Sequence, residues 1–399
     1  MTINEARADG TSIGALDGTE VAPARIAVVA NIAWHLHNFR MGLIEDLEAQ
    51  GHTVVMMAAP DDYARGLTTP DRPFAPLDKL KRTGMNPFHD LALFRQMLRT
   101  YRAHRIDVAI HYTSKGNIYG GLASRLLGIP SIHTINGLGG PFSGRNASVR
   151  RIVAALYRKA LARSNDIYFQ NTHDFDYFVR ERIISCDQGR VVAGSGIDLN
   201  KFKPAEIVSM ETNKHHRPKA LLFSRLSRTK GILEYVEAAR LTRDMGKDIE
   251  FQLAGRFDHD RHAISREEIA QWERSGLISF LGQSDNIIKL IAASDFVVYP
   301  SYYMEGIPRA LIEACAMAKP IVTTDHVGCR ETVITGENGM LVPTRDANAL
   351  ATAIVKMASL RPERRKEMGA KSRLLAQERF DQNIVNAFYL SSVERLFNK

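Results

Sequence analysis

Short runs of β-branched and other apolar residues alternate with segments of helical periodicity from Ile26 onward. Strands and helices in this alternation are typical of βαβ units, in which a parallel sheet is covered by helices on both faces. In the first half the pattern predicts strands over residues 26–30, 53–58, 107–111, 131–135, 166–170 and 190–193, and helices over 38–50, 91–104, 117–127 and 149–162. In the second half it predicts strands over 220–224, 249–254, 277–281, 296–299, 321–324 and 340–342, and helices over 232–240, 287–293, 308–318 and 347–358. We therefore expect an α/β protein with two doubly wound parallel sheets.

The two halves are separated by a polar, Lys- and His-containing stretch that has the composition of a linker. We predict a mobile tail over residues 1–24, a first domain over 25–197, a linker over 198–218, a second domain over 219–375 and a terminal helix over 376–399. This charged helix either completes the second domain or packs back on the first. Open α/β sheets bind ligands at the carboxyl ends of their strands, so the chemistry is expected in loops that line a crevice between the domains.

The composition is that of a folded, enzyme-sized protein of 399 residues with 45% hydrophobic and 24% charged residues. Disordered, collagen-like and coiled-coil chains are thereby excluded. Three cysteines without a Cys-x-x-Cys pair indicate neither a disulfide framework nor a zinc site and fit a reducing cytoplasm. No apolar stretch approaches the ~20 residues that cross a bilayer, and no secretory signal is recognisable. The net charge of +9 favours an anionic partner: nucleic acid, an acidic membrane surface or a phosphorylated substrate.

The loop after the predicted strand 220–224 is a candidate anion site. It reads RLSRTKG and places Arg225 and Lys230 between the carboxyl end of a strand and the start of a helix. A guanidinium can bind two phosphate oxygens, an ammonium acts as a point charge, and a helix N-terminus attracts anions. The loop therefore fits a diphosphate, although a solvated basic turn would have the same composition.

A second candidate, the segment EGIPRALIE from Glu305 to Glu313, follows the predicted strand 296–299. Pro308 suits the first position of a helix, which leaves Glu305 at the loop and Glu313 inside the helix. An eight-residue helical step spans at most ~12 Å, too far for the ~5 Å carboxylate pair of a retaining glycosidase. That separation matches the distance between the sugar and the ribose of a nucleotide sugar. The alternative is an acidic helix start and a surface charge, which the apolar neighbours of Glu313 disfavour.

Several spaced motifs in the second half occur in a specific order: EGIPRALIEA (305–314), KPIV (319–322), GCRE (328–331) and GENGMLVP (336–343). Together they resemble the donor-binding half of glycosyltransferase family 4, with Arg225 and Lys230 where that family has its diphosphate-binding pair. Upstream, GSGID (194–198) resembles its interdomain segment. NIYGG (117–121) and NGLG (136–139) resemble bacterial members that build polyprenol-linked oligosaccharides. The resemblance covers nearly the whole chain from Ile26.

This resemblance implies a GT-B fold of two Rossmann-like domains and a retaining transfer from a nucleoside diphosphate sugar, with no cofactor and no metal ion. By motif, Arg225 and Lys230 would neutralise the leaving diphosphate, and Glu305 would hold sugar hydroxyls. The remaining donor contacts would be the ribose at Glu313 and backbone groups at Gly306 and Ile307. Fixed cations beside a departing diphosphate lower the barrier to its release. Two acidic pairs, at positions 174/176 and 258/260, imitate a metal motif of another glycosyltransferase fold, but we expect no metal there.

The chain departs from the family pattern at three points. Its first loop lacks the glycine-rich turn that many members place against the diphosphate, and we expect Ala33 to serve instead. Asn136 stands where many members have a histidine, and residues 255–257 (GRF) replace an acidic glycine turn, which leaves recognition of the base open. The candidates on the acceptor side are Arg40, Lys115, Asn117 and Asn136.

The predicted helix 149–162 is basic on one face. Val149, Ile152, Val153, Leu156 and Ala160 share the predicted buried side. Arg151 and Arg158 lie on the opposite side, and the predicted membrane face comprises Arg150, Arg151, Arg158 and Lys159. Together with the loop 139–144, this face is predicted to rest on an anionic membrane, because each basic residue near such a surface contributes ~1 kcal/mol. A solvated basic back of a sheet-packing helix is the alternative.

We therefore predict a cytoplasmic enzyme, peripheral on the inner face of the membrane. It would transfer a hexose or N-acetylhexosamine, expected to be UDP-linked, to a polyprenyl-diphosphate-linked saccharide. The alternatives are a transferase of the same fold with a soluble acceptor, a sugar-nucleotide epimerase of related fold, and a basic nucleic-acid-binding protein. The last is disfavoured, because the chain has no zinc-finger spacing and no aromatic RNA-binding motif.

Overall fold

The computed structural model describes residues 22–80, 84, 86–139, 142, 146–204, 217–258, 261–284 and 286–397. Most of the predicted tail and of the predicted linker lies outside these residues. The described chain contains two parallel sheets, one with seven strands and one with six, so the prediction of a two-sheet α/β fold is confirmed.

The first sheet has the strand order β3-β2-β1-β4-β5-β6-β7, with all neighbours parallel. Its strands are β1 (Arg25–Ile32), β2 (Thr53–Ala59), β3 (Phe74–Pro76), β4 (Val108–Tyr112), β5 (Ser131–Ile135), β6 (Asp166–Phe169) and β7 (Gly189–Val191). Its helices are α1 (Ala33–Phe39), α2 (Met41–Ala49), α3 (Ala64–Leu67), α4 (Pro87–His104), α5 (Gly121–Leu127), α6 (Ala147–Leu161) and α7 (Thr172–Arg180). The strand order reverses direction between β1 and β4, as a doubly wound sheet requires.

The second sheet has the order β10-β9-β8-β11-β12-β13 and reverses between β8 and β11. Its strands are β8 (Lys219–Phe223), β9 (Glu250–Ala254), β10 (Ser279–Phe280), β11 (Phe296–Tyr299), β12 (Ile321–Thr324) and β13 (Gly339–Val342). Its helices are α8 (Ile232–Asp244), α9 (Arg266–Arg274), α10 (Ile287–Ala293), α11 (Arg309–Ala316), α12 (Ala347–Ala358) and α13 (Pro362–Leu375). Each sheet is covered on both faces by apolar clusters, because alternate strand residues point to opposite sides.

The final helix, α14 (Gln382–Phe397), packs on the first domain. Val385, Tyr389 and Val393 lie in the same apolar cluster as the core residues of β1 and α2. The chain passes between the domains twice, once near Ile197 and once near Gln382. The two passages lie side by side, because the amide of Gln382 donates to Ile197 O at 3.0 Å. Of the two positions that the sequence left open for this helix, it occupies the one on the first domain.

Two predicted helices differ from the structure. The helix predicted over 38–50 corresponds to α2, which begins at Met41, and the preceding helix α1 was not predicted. The two helices are separated at Arg40, whose guanidinium lies over the Tyr112 ring, 3.8 Å from its centroid. The helix predicted over 117–127 begins with a π turn, Gly116–Gly120. A Cβ at Gly120 would lie 2.3 Å from His111 Cδ2, so the wide turn brings glycine backbone against a buried histidine ring.

Smaller corrections concern the limits of helices. The proline at position 308 is the N-cap of α11, and the helix begins one residue later at Arg309. Ile152 was predicted to face the core but is 55% exposed, because α6 buries Val153, Tyr157 and Ala160 instead. The pattern missed the three-residue β3 and helix α9, although α9 carries a capping box between Ser265 and Glu268.

Candidate functional site

The loop after β8 holds a nearly buried lysine. Lys230 ends a short 3-10 turn, its side chain is 5% exposed, and its ammonium forms an ion pair with the carboxylate of Glu305. The Tyr299 and Tyr303 rings flank the ammonium, with centroids at 5.5 and 5.3 Å. Tyr299 also donates its hydroxyl to Glu305 at 3.3 Å, and burial together with the Glu305 charge raises the Tyr299 pKa. The structure therefore joins two of the predicted residues, Lys230 and Glu305, in one charged pair.

Arg225 lies in the same loop and is also paired. Its guanidinium forms an ion pair with Asp258, whose side chain is 8% exposed. Asp258 belongs to one of the acidic pairs that imitate a metal motif, and residues 259 and 260 lie outside the described part of the chain. Among the described residues no group of three His, Cys, Asp or Glu side chains could hold a metal ion. The carboxylate of Asp258 instead holds the predicted diphosphate-binding arginine in place.

The loop before α11 touches the first domain. The Gly306 amide donates to Asn136 O at 2.8 Å, and the Gly139 amide donates to Met304 O at 3.1 Å. No side chain fits at Gly306, since a Cβ there would lie 1.9 Å from Gln170 Oε1. Gly137 has a φ of 123°, and a Cβ there would meet the Gly306 amide nitrogen at 2.6 Å. Backbone from both domains thus meets directly beside Glu305.

Helix α1 lies at the other side of this crevice. Ala33 is its first residue and is buried, and the next residue, Trp34, faces the guanidinium of Arg256 at 5.2 Å from the ring centroid. Arg256 belongs to the segment 255–257 of the second domain, so this contact also crosses between the domains. Ile307, the other predicted backbone contact, is 6% exposed.

Glu313 lies away from the Lys230–Glu305 pair. Its carboxylate binds Arg309 at 3.2 Å, one helical turn earlier, and its side chain is 13% exposed. Arg309 also donates to Ser195 Oγ at 3.2 Å and to the Gly196 carbonyl, in the segment that joins the domains. Burial raises the pKa of the Glu313 carboxyl, and the nearby Arg309 opposes that shift. The acid is therefore a buried, partnered group and not a surface charge.

The four acceptor-side candidates occupy different environments. Lys115 binds Asp90 of α4 at 2.7 Å, and Asn136 accepts from the Thr113 amide at 3.2 Å through its side chain. Asn117 lies in the core, where it donates to Thr134 O at 2.8 Å and contacts a ring nitrogen of His133 at 3.2 Å. Arg40 is 2% exposed. Asn136 lies where the domains meet, since its carbonyl accepts from the Gly306 amide, whereas Asn117 and Arg40 are buried.

The basic face of α6 is exposed at all four predicted positions, Arg150, Arg151, Arg158 and Lys159. Arg158 has a structural role as well, since it donates to Arg182 O at 2.7 Å and to Glu181 O at 3.1 Å at the end of α7. Most of the loop 139–144 that was predicted to accompany this face lies outside the described residues. In the described part of the chain no helix is both long enough and apolar enough to span a membrane.

Asp174 of the other acidic pair is buried at the start of α7 and shares two hydrogen bonds with Asn171, the N-cap of that helix. The three cysteines are free thiols.

Comparison with known proteins adds independent evidence. The sequence pattern of "Glycosyl transferases group 1" matches residues 206–374, and that of "Glycosyl transferase 4-like domain" matches residues 37–193. The chain belongs to the family 4 type of glycosyltransferases.

Individual relatives agree with this assignment. The chain is 26% identical over 383 residues to the N,N'-diacetylbacillosaminyl-diphospho-undecaprenol alpha-1,3-N-acetylgalactosaminyltransferase of Campylobacter jejuni, covering 93% of this chain and 99% of that protein. It is 24% identical over 281 residues to the UDP-Gal:alpha-D-GlcNAc-diphosphoundecaprenol alpha-1,3-galactosyltransferase of Escherichia coli, covering 67% and 70%.

Solved structures show the same fold. A glycosyltransferase from Rickettsia africae superposes with a TM-score of 0.73 at 21% identity over 95% of this chain and 99% of that one. HepE of Anabaena, solved with UDP and glucose, gives 0.74 at 18% identity over 93% and 99%. The GT-B fold implied by the family resemblance is confirmed.

Three site residues of this glycosyltransferase escaped sequence reasoning. Asp258 was considered only as part of an acidic pair that resembles a metal motif. Gln170 carried no sequence signal, because its approach to Gly306 depends on how the domains meet. Arg309 could have been found, since an arginine and a glutamate four residues apart on a helix are neighbours. These residues hold the predicted ones in position.

Proposed function

We propose that this glycosyltransferase transfers a hexose or N-acetylhexosamine, with retention of configuration, from a UDP-linked donor to a polyprenyl-diphosphate-linked saccharide. The assembly would be that of a bacterial polysaccharide or glycan. The observation that carries the proposal is the pair formed by Lys230 and Glu305, nearly buried at the point where both domains meet. A cation and an acid in that setting fit the two ends of the bond to be broken, the departing phosphate and the sugar.

The chemistry follows from the charges. As the sugar leaves, negative charge develops on the diphosphate, and Arg225 and Lys230 stabilise it without needing a metal ion. In the free protein their partners are Asp258 and Glu305, so the cations are already oriented when the donor arrives. Donor phosphates then replace these carboxylates as partners, and Glu305 becomes available to accept hydrogen bonds from sugar hydroxyls.

The rest of the donor is assigned by position. The Ile307 amide precedes helix α11, where a helix N-terminus favours negative charge, whereas the Gly306 amide is engaged by Asn136 O at 2.8 Å. Glu313 would bind the ribose after Arg309 turns away from it, and Ala33 would close over the diphosphate from the first domain. We assign retention and metal independence from the family resemblance.

The acceptor assignment is supported by two relatives whose names specify sugar transfer to undecaprenyl-diphosphate-linked saccharides. Lys115 and Asn136 lie on the first-domain side of the crevice and would meet this acceptor. Arg150, Arg151 and Lys159 are exposed on α6 and would attract the anionic membrane in which the acceptor resides. The enzyme would then act at the cytoplasmic face of the membrane.

A panel of nucleoside diphosphates and their sugars, followed by thermal unfolding, tests the donor assignment. A ligand at 100 times its dissociation constant stabilises the folded state by ~2.7 kcal/mol, so the true donor class is recognised by its shift in melting temperature. UDP and a UDP-sugar are expected to raise the melting temperature most, and EDTA is expected to leave that increase unchanged. A larger shift with another nucleotide, or a shift lost on chelation, would contradict the UDP or the metal-free assignment.

Transfer is then measured with the stabilising donor, using a prenyl-diphosphate-linked saccharide and the same saccharide without its lipid diphosphate. We expect product only with the lipid-linked acceptor and expect NMR of the new linkage to show the anomeric configuration of the donor. Equal transfer to both acceptors would favour the soluble-acceptor alternative. Conversion of the donor with no acceptor present would indicate an epimerase.

A further inference from the structure

The positive charge of the chain is concentrated in one segment. Residues 87–163 contain 12 Lys and Arg against 2 Asp and no Glu, whereas the whole chain carries a net charge of +9. Both acids are occupied, because Asp90 pairs with Lys115 at 2.7 Å and Asp107 accepts from the Arg25 amide at 2.8 Å. This segment contributes helices α4, α5 and α6, which lie next to one another on one face of the first sheet.

Helix α4 presents an exposed stripe that is apolar at one end and cationic along the rest. Phe88 is 85% exposed and Leu91 is 44% exposed. Three exposed arginines continue at the same helical spacing: Arg95, Arg99 and Arg102. Residues three and four apart lie on one side of a helix, so these side chains form a continuous row.

The apolar end of the row lies at the crevice. Helix α4 follows β3 in a parallel sheet, so its N-terminus lies at the carboxyl edge where the domains meet. The contact between Asp90 of α4 and Lys115 of the loop after β4 confirms this position. The N-terminal half of α6 adds exposed Arg150 and Arg151 and the 55% exposed Ile152 at the same edge. We call this surface the crevice rim: Phe88, Leu91, Arg95, Arg150, Arg151 and Ile152.

We infer that the crevice rim is the membrane-docking surface, with Phe88 and Leu91 inserted at the headgroup level of an anionic bilayer and the arginines bound to its lipid phosphates. This inference rests on the proposed lipid-linked acceptor and specifies which part of the first domain meets the lipid. Exposed apolar side chains among cations match the amphipathic surfaces that lie in a lipid interface. A single-stranded nucleic acid could neutralise the arginines and stack a base on Phe88, but it would leave the aliphatic Leu91 and Ile152 in water, so these two side chains favour lipid.

The test uses the full chain and flotation with two kinds of vesicle, neutral phosphatidylcholine and phosphatidylcholine mixed with phosphatidylglycerol. The variant Phe88→Ser/Leu91→Ser removes the apolar end and keeps every charge. Its matched control, Met245→Ser/Ile334→Ser, removes two side chains of the second domain that are 49% and 48% exposed. We expect wild type and control to float with the anionic vesicles. The Phe88/Leu91 variant should bind these vesicles at least about tenfold more weakly, because burying one such side chain changes an equilibrium constant by about tenfold or more.

Equal binding of variant and control would overturn the inference, as would a wild type that floats with neither vesicle. Binding of single-stranded RNA without vesicle binding would assign the arginines to nucleic acid and would also overturn it. UDP-induced thermal stabilisation of each variant shows that it is folded. Transfer to a short-chain, water-soluble analogue of the acceptor, measured without vesicles, reports the proposed function separately. If that transfer persists while the docking result fails, only the docking surface is wrong.

Discussion

At the scale of single residues, the site is held ready by charge pairs inside the protein. Lys230 is nearly buried against Glu305, and Arg225 is held by Asp258. A buried cation without an anion is unfavourable, so these carboxylates hold the cations in position until the donor diphosphate takes their place. The same carboxylates keep the free site electrically balanced.

Replacing Lys230 by Met should lower kcat by about 10²- to 10³-fold, because a fixed donor at the developing charge is lost. The matched control is Lys247→Met, an exposed lysine of the same domain, which should transfer sugar at the wild-type rate. Glu305→Ala should also abolish transfer while leaving the protein folded. Steady-state kinetics measure kcat, and circular dichroism shows whether each variant is folded. Wild-type turnover in either site variant would refute the assigned roles.

Buried histidines make the first domain sensitive to acid. His133 stacks on His111 at 4.7 Å and contacts Asn117 and Ser131 through its two ring nitrogens. Burial lowers the pKa of His133 to about 3. The unfolded chain binds a proton below pH ~6.5 that the folded state does not, so the free energy of unfolding falls by ~1.4 kcal/mol per pH unit for this histidine as the pH decreases. The stabilisation is complete above pH ~6.5 and is lost progressively towards the folded-state pKa.

The variant His133→Gln cannot titrate in this range. Urea unfolding followed between pH ~7 and pH ~4.5 should show a shallower loss of stability in the variant than in wild type. Parallel curves for the two proteins would mean that His133 is not held neutral in the folded state.

At the scale of elements, the crevice depends on loops whose backbones touch. Gly137 meets the Gly306 amide, and both belong to loops at the carboxyl edges of their sheets. Such edges gather residues from distant parts of the chain, so the loop positions could be predicted from the strand pattern. The direct contact between the two loops could not, because it depends on the orientation of the domains.

The change Gly137→Ala should separate these loops. Its matched control is Gly128→Ala, which also has a positive φ, 71°, but has no atom within 4 Å of the added Cβ. Both variants strain the backbone, whereas only Gly137→Ala pushes against the second domain. We expect its kcat to fall about tenfold or more through misplaced substrates, with UDP affinity by calorimetry unchanged. Equal kcat values in the two variants would show that the contact is not needed for transfer.

At the scale of the whole molecule, the two domains are linked through the last helix. Helix α14 leaves the second domain and completes the core of the first, and Tyr389 contacts Thr134 Oγ1 at 2.8 Å inside that core. Residues of α14 are therefore part of the core of the first domain, so that domain depends on residues remote from it in sequence.

Tyr389→Phe should lower stability by ~1 to 3 kcal/mol, because the buried Thr134 hydroxyl loses a partner. Thermal unfolding of the full chain measures the effect, and donor-induced stabilisation should persist, since the second domain is unchanged. A melting temperature equal to that of wild type would contradict the role of this hydrogen bond.

Sequence reasoning recovered the two sheets because β-branched runs and glycine stops reflect local preferences. It also placed Arg225, Lys230 and Glu305 in loops that follow strands, and the structure joins the latter two because β8 and β11 are neighbours. It could not recover the partner of Arg225, because Asp258 is 33 residues away and its pairing depends on tertiary packing. The separation of α1 from α2 at Arg40 was also not predicted, and the contact of Arg40 with the Tyr112 ring belongs to the tertiary packing.

The most direct test of the account is a crystal structure of the protein with UDP. We predict the diphosphate between Arg225 and Lys230 at the edge of the second sheet, with the carboxylates of Asp258 and Glu305 displaced from those cations. UDP bound outside the crevice, or bound with both ion pairs intact, would contradict the central claim that these two cations hold the departing diphosphate.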